Sequence, residues 1–127
     1  MLVLAAFENQ VTAENVESVR AKIILELANG PITPEADTVL ARKGVHILPD
    51  ILSNAGGVTV SYFEWVQNLA NYYWNAEMVQ ERLKVIMEAA LLKVVENQQK
   101  YSCTMRQAAF ITAIERIEEP LRLRGRI

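Results

Sequence analysis

Apolar and polar positions follow two different periods along this chain. Up to Asp50, the short bulky runs Leu2 to Ala6, Lys22 to Leu27 and Val45 to Leu48 are separated by stretches with helical spacing. Runs this short and this continuously apolar predict parallel strands covered on both faces, because a half-exposed strand would alternate apolar with polar residues. Between the first two, Thr12 is placed to cap a short helix from Ala13 to about Val19. Between the second and third the signals are denser. Thr33 stands at the N-cap, Pro34 at the first helical position, Glu35 and Asp37 in the first turn, Arg42 and Lys43 in the last, and Gly44 just beyond. A βαβαβ unit follows, and right-handed crossovers make its sheet parallel.

From residue 54 onward the pattern is helical. Glu77 to about Gln98 places Val79, Leu83, Ile86, Met87, Ala90 and Val94 on one stripe, with Glu81, Lys84, Glu88 and Lys93 elsewhere, the signature of a buried helix face. Thr104 and Gln107 form a capping box that opens a last helix, whose apolar stripe is Phe110, Ile114, Ile117 and Leu121. Pro120 should kink that helix or end it near Glu119, since it lacks a backbone donor and crowds the preceding turn. Ile51 to Leu69 is ambiguous. Val58, Thr59, Val60, Tyr62 and Phe63 favour a strand, and Gly56 and Gly57 favour neither state. Helical spacing tips the balance, because it puts Asn54, Val58, Ser61 and Trp65 on one face at steps of four, three and four. The expected architecture is therefore α/β: a partial, Rossmann-like parallel sheet of three strands over 1–53, then C-terminal helices over 54–127.

Composition narrows the reading. A chain of 127 residues is the size of one domain and too small for a two-domain enzyme. Thirteen Lys plus Arg against fifteen Asp plus Glu give a net charge of −2, with 51% hydrophobic and 22% charged residues. That argues against a disordered tail and against a dedicated polyanion binder. No stretch reaches the ~18 uncharged apolar residues of a membrane span. The run Met1 to Phe7 meets Glu8 too early for a secretory signal core. Cys103, alone, forms no intrachain disulfide and no metal cluster, so a reducing, cytoplasmic setting is expected. The apolar fraction is nevertheless high for so short a chain. Either the core is unusually large, or part of it faces something outside the chain.

In open parallel sheets, ligands sit outside the carboxyl ends of the strands. The loops there are Ala6-Phe7-Glu8-Asn9-Gln10, Ala28-Asn29-Gly30-Pro31 and the segment from Pro49 to Asn54. They offer neutral amides and backbone but no Lys or Arg, which suits a carboxamide or a ribose hydroxyl better than a pyrophosphate. No glycine-rich GxGxxG phosphate loop follows a strand. Asn29 before Gly-Pro also suits a plain turn former. His46 lies in the third strand, Cys103 has no apparent partner, and the helix over 77–98 carries both signs of charge without the basic stripe of a nucleic-acid reader.

The segments A-N-G-P-I-T-P-E-A-D and P-D-I-L-S-N-A-G-G-V-T-V-S-Y-F-E-W-V-Q-N closely resemble the C-terminal part of glutamate dehydrogenases, within the wider family of glutamate, leucine, phenylalanine and valine dehydrogenases. A-A-F-E-N-Q near the start and M-R-Q-A-A-F near the end extend the resemblance over essentially the whole chain. It implies that the sheet is the second half of a dinucleotide-binding domain, with NAD or NADP as cofactor in the intact enzyme. It further implies that Asn29 and Asn54 line the nicotinamide end of the cofactor with Ala6 nearby, and that Val58 and Ser61 line the amino-acid substrate. A serine at position 61, where branched-chain relatives tend to be apolar, favours glutamate and 2-oxoglutarate.

The departures from the family pattern define the function hypotheses. The family's catalytic lysine and aspartate, its substrate-binding lysines, its phosphate loop and the acid that holds the adenosine ribose all belong to segments upstream of the matching region. The leading expectation is therefore a C-terminal portion of a glutamate dehydrogenase that is inactive alone, binds dinucleotide weakly or not at all, and contains no catalytic or metal-ligating residue of its own. Its first strand would be an exposed apolar edge, so a homo-oligomer is expected, with no nucleic acid and no membrane as partner. Two alternatives compete: a small protein that docks onto full-length dehydrogenase subunits or regulates them, and a small nucleotide-binding domain that kept the scaffold for another use.

Overall fold

The computed structural model describes residues 1–126. Three parallel strands, β1 (Leu2–Leu4), β2 (Ile23–Glu26) and β3 (His46–Leu48), form one sheet in the order β1-β2-β3. Leu2 pairs with Ile24 and Leu4 with Glu26, while Ile24 also faces Ile47. The three expected strands are all present, each shorter than the apolar run that announced it.

The two crossovers differ. Helix α1 (Pro34–Arg42) forms where its capping signals stand: Thr33 Oγ1 accepts the Ala36 N–H, and Gly44 just beyond takes φ +69°, a left-handed turn that suits glycine. The first crossover lacks the helix expected from Ala13 to Val19 and keeps only a 3₁₀ turn at Val16–Ser18. Asn15 explains the shortfall. Its side chain accepts the Thr12 N–H and donates to the Gln10 carbonyl, both at 2.9 Å, and such local bonds compete with helical ones. Val11, just before, is drawn into a parallel bridge with Ile32. Leu4, Val11, Val16, Ile24, Ile32, Ala36 and Leu40 form the core between sheet and α1. Burying side chains as large as Ile24 and Leu40 completely contributes about 2 kcal/mol each before entropy is counted.

The remainder is helical: α2 (Asp50–Ser53), α3 (Ala55–Ala70), α4 (Ala76–Tyr101) and α5 (Met105–Leu123). The ambiguous stretch is thus a helix, despite a cost of about 1 kcal/mol for each of its two glycines. Packing decides it. Phe63 buries its ring 5.5 Å from that of Trp74, and Gln67 donates to the Phe63 carbonyl while accepting the Trp74 N–H. Asn71, at φ +47°, closes α3, and the Asn75 side chain caps α4 by accepting the Met78 N–H at 2.9 Å. The Thr104–Gln107 capping box opens α5. That helix runs through Pro120 to Leu123, past the end expected near Glu119. An ion pair from Glu118 to Arg122 at 2.7 Å spans the proline, and the Arg124 N–H takes up the Pro120 carbonyl.

A second core cluster, Leu52, Val94, Ala108 and Ala109, joins α2, α4 and α5. The inward face of α5 is therefore small: Ala108, Ala109 and Thr112. Its bulky stripe points away, leaving Phe110 51%, Ile114 61% and Ile117 65% exposed. On α4 the expected stripe holds in part. Val94 is buried, Val79, Leu83, Met87 and Ala90 are half-buried, and Ile86 is exposed. Among the described residues no helix is long and apolar enough to cross a membrane.

Candidate functional site

The carboxyl ends of β1 and β2 meet the start of α3, and backbone bonds fix how. Leu27 and Ala28 both donate to the Leu4 carbonyl, at 2.8 and 2.9 Å, so the strands end together. The chain then turns at Gly30, φ +54°, whose carbonyl accepts the Asn9 N–H at 2.9 Å. The two exit loops are thereby tied to each other. Between them and α3 lies an open cleft of about 740 Å³, lined among others by Ala6, Leu27, Asn29, Asn54 and Val58.

Four of the five residues singled out in the sequence therefore share one wall. Asn54 Nδ2 donates to Asn29 Oδ1 at 2.7 Å and to the Leu27 carbonyl at 3.4 Å. That arrangement uses one half of each amide. Asn29 Nδ2 and Asn54 Oδ1 have no partner among the described residues, which leaves one donor and one acceptor of the pair unused. A primary carboxamide presents the complementary acceptor and donor. Ser61 stands apart: it is exposed one turn beyond Val58 on α3, does not line the cleft, and donates its hydroxyl to the Gly57 carbonyl at 3.2 Å. Glu8 is the one ionisable side chain on the cleft wall, and its carboxylate has no hydrogen bond or ion pair among the described residues.

Behind the cleft sits a cluster the sequence reading missed. Arg106, in the first turn of α5, reaches Glu26 with both Nη atoms at 2.9 and 2.6 Å, Asp37 with Nε and Nη2 at 3.1 Å, and Asp50 with Nη1 at 3.4 Å. Glu26 is fully buried at the end of β2. Burial works against the guanidinium charge, but the hydrogen bonds and charges of Glu26 and Asp37 outweigh it, and the Arg106 pKa rises above its ordinary value. Asp50 extends the cluster toward the cleft: its N–H donates to Glu26 Oε2 at 2.9 Å, and its Oδ2 accepts the Gly30 N–H at 2.8 Å. One signal was available, an acid set in the otherwise apolar run Ile23-Ile24-Leu25-Glu26-Leu27, since a buried carboxylate requires a partner. Nothing local names that partner, which lies 80 positions away.

A smaller polar cluster joins α4 to α5. Asn97, fully buried, donates to Thr112 Oγ1 and Glu115 Oε2 at 2.9 Å, and the Tyr101 hydroxyl donates to Glu115 Oε1 at 3.1 Å. These two hydrogen bonds lower the Glu115 pKa below the usual glutamate value. His46 is exposed at the start of β3, and Cys103 is half-buried beside the second core; neither meets the cleft.

Residues 1–125 match the profile of a family described as glutamate/leucine/phenylalanine/valine dehydrogenase. Over 125 residues the chain is 49% identical to an NAD-specific glutamate dehydrogenase of Clostridioides difficile, covering 98% of this chain and 30% of that protein. It superposes on a crystal structure of glutamate dehydrogenase from Peptoniphilus asaccharolyticus with a TM-score of 0.92 at 45% identity, over 97% of this chain and 31% of that one. A hetero-hexameric glutamate dehydrogenase from Thermus thermophilus, in a Leu-bound form, gives a TM-score of 0.92 at 37% identity, over 98% of this chain and 30% of its own. The chain thus spans about 30% of the length of the curated relatives it matches.

Proposed function

The chain belongs to the glutamate, leucine, phenylalanine and valine dehydrogenase family, and on that footing we propose that it forms the nicotinamide side of the cofactor cleft of a glutamate dehydrogenase. Residues 1–53 are then the second half of the dinucleotide-binding domain, and 54–127 the helical segment that turns toward the substrate. Ala6, Asn29 and Asn54 face the cofactor; Val58 and Ser61 face the amino acid. The observation that carries the reading is the half-used amide pair. The unpartnered donor of Asn29 and acceptor of Asn54 fit a carboxamide, and they stand at the strand ends where a Rossmann-like sheet presents its ligand.

In the intact enzyme, bound NAD or NADP supplies the hydride acceptor for oxidative deamination of L-glutamate to 2-oxoglutarate and ammonia, and the name of the Clostridioides difficile relative favours NAD. The contribution of this chain is orientation. Two fixed amides hold the nicotinamide ring in one rotation, and the apolar face of Val58 shields it from water. No proton-transfer role falls to Ala6, Asn29, Asn54, Val58 or Ser61, whose side chains carry no group that titrates near neutral pH. Alone, the chain is expected to give no glutamate-dependent reduction of NAD or NADP; robust turnover would contradict this. Weak quenching of NADH fluorescence should be lost in Asn54→Ala, and an unchanged affinity in that variant would remove Asn54 from the cofactor wall.

Self-association belongs to the same proposal. Among the described residues β1 pairs only with β2, and Val3 is 44% exposed, so its other edge offers unpaired backbone beside apolar side chains. Micromolar sedimentation should show dimers or larger species from a cytoplasmic protein of this kind; a clean monomer would count against it. The outward-facing Phe110, Ile114 and Ile117 favour one second reading, docking onto full-length dehydrogenase subunits. A tagged copy that recovers no such subunit from its own cells would end it.

A further inference from the structure

We propose that Asp50 is a positioning residue for the Asn29–Asn54 amide pair, holding both asparagines from a single position. This goes one step beyond the cleft reading above and rests on it for its functional meaning.

The two asparagines come from different elements, 25 positions apart, and their 2.7 Å contact requires the β2 exit loop and the start of α3 to be in register. Asp50 touches both. Its backbone carbonyl accepts the Asn54 N–H at 3.0 Å, and its Oδ2 accepts the Gly30 N–H, next to Asn29, at 2.8 Å. The other backbone bonds of this loop run to the β1 side, through Asn9 and Val11, so on the α3 side the exposed Gly30 N–H has Asp50 as its sole acceptor among the described residues. Asp50 itself is not free to swing. Oδ1 accepts the Ile51 N–H at 2.8 Å and lies 3.4 Å from Arg106 Nη1, while its own N–H is taken by the buried Glu26 carboxylate. A charge cluster thus ends in one carboxylate oxygen that holds the β2 exit loop. Charge-assisted bonds of this kind are the strong ones, which is what fixing an amide to within a fraction of an ångström demands.

The test reads the asparagines directly. In the unaltered chain, the Gly30 amide should exchange with solvent at least about tenfold more slowly than in an unstructured chain, the protection of one charge-assisted hydrogen bond. Exchange at the unstructured rate would overturn the proposal without any variant. In Asp50→Ala, the side-chain amide resonances of Asn29 and Asn54 should move toward free-amide positions and NADH-induced quenching should weaken by about tenfold, the worth of the same bond. Thr33→Ala, which weakens the α1 cap without removing any bond to Asp50, Asn29 or Asn54, supplies the reference for a merely structural loss: lower stability with both asparagine resonances in place. If Asp50→Ala behaves like Thr33→Ala, Asp50 is structural and the inference falls. If the resonances move but the NADH quenching of the chain is the same with and without Asp50→Ala, the positioning stands and the cofactor assignment fails.

Discussion

The two halves of this chain spend their apolar residues in opposite ways. Between the sheet and α1, the large side chains point inward: Ile24, Leu40 and Val16 are among the most completely buried. Against Leu52 and Val94 the inward face of α5 is made of Ala108, Ala109 and Thr112, and its large side chains Phe110, Ile114 and Ile117 point out. Small residues let helices approach closely; large ones on the opposite face mark a surface shaped for contact. The difference teaches that an apolar stripe reports a covered face, without saying by what. In the first half the chain itself covers the face toward α1, but Val3, Ile23 and Leu27 stay 44%, 41% and 42% exposed, so the strands are not covered on both faces as their apolar runs predict.

The sharpest way to break this contrast is to empty the first core. Leu40→Ala is expected to cost about 3–4 kcal/mol in denaturant unfolding, since the site is closed on all sides. A loss below about 1 kcal/mol would mean that the core between sheet and α1 is not the stable half. Next comes the joint between the halves. Arg106→Met leaves Glu26 buried and without its cation, and should cost about 3 kcal/mol by the same measurement. A neutral result would show that the cluster can be replaced by packing alone.

How much of this was legible depended on where the partners lay. The strands and α1 are written locally: Thr33, Pro34 and Gly44 bracket one element, and each strand is a short apolar run. The stretch 54–69 was settled by the single-face placement of Asn54, Val58 and Ser61, and the structure makes it helical, with Asn54 and Val58 on the cleft wall. The first crossover failed as a helix because the side-chain bonds of Asn15 are invisible to periodicity. The direction of the α5 stripe was not legible for a different reason, since a period locates a face but not its neighbour. The Arg106 cluster was beyond reach because its members meet from four separate elements.

Smaller effects refine the picture. Thr33→Ala should cost about 1 kcal/mol, the usual worth of an N-cap. A pH effect belongs to the helical half. Glu115 has a folded pKa below its ordinary value, so its contribution to the α4–α5 contact is complete above the ordinary glutamate range and is lost as pH falls through the folded value. Carboxyl resonances should show Glu115 titrating below the exposed glutamates, and Asn97→Ala should bring it back toward them. Smallest of all, Phe110→Ser or Ile114→Ser should change stability by no more than about 0.5 kcal/mol. A loss comparable to Leu40→Ala would contradict the outward orientation of that stripe.

The cofactor assignment is most directly tested by mapping backbone and side-chain amide shifts while the chain is titrated with nicotinamide mononucleotide and, separately, with AMP. The side-chain amides of Asn29 and Asn54, together with the backbone of Ala6 and Val58, should move with the nicotinamide compound and stay still with AMP. Shifts that are equal for the two, or that fall away from the ends of β1 and β2, would contradict it.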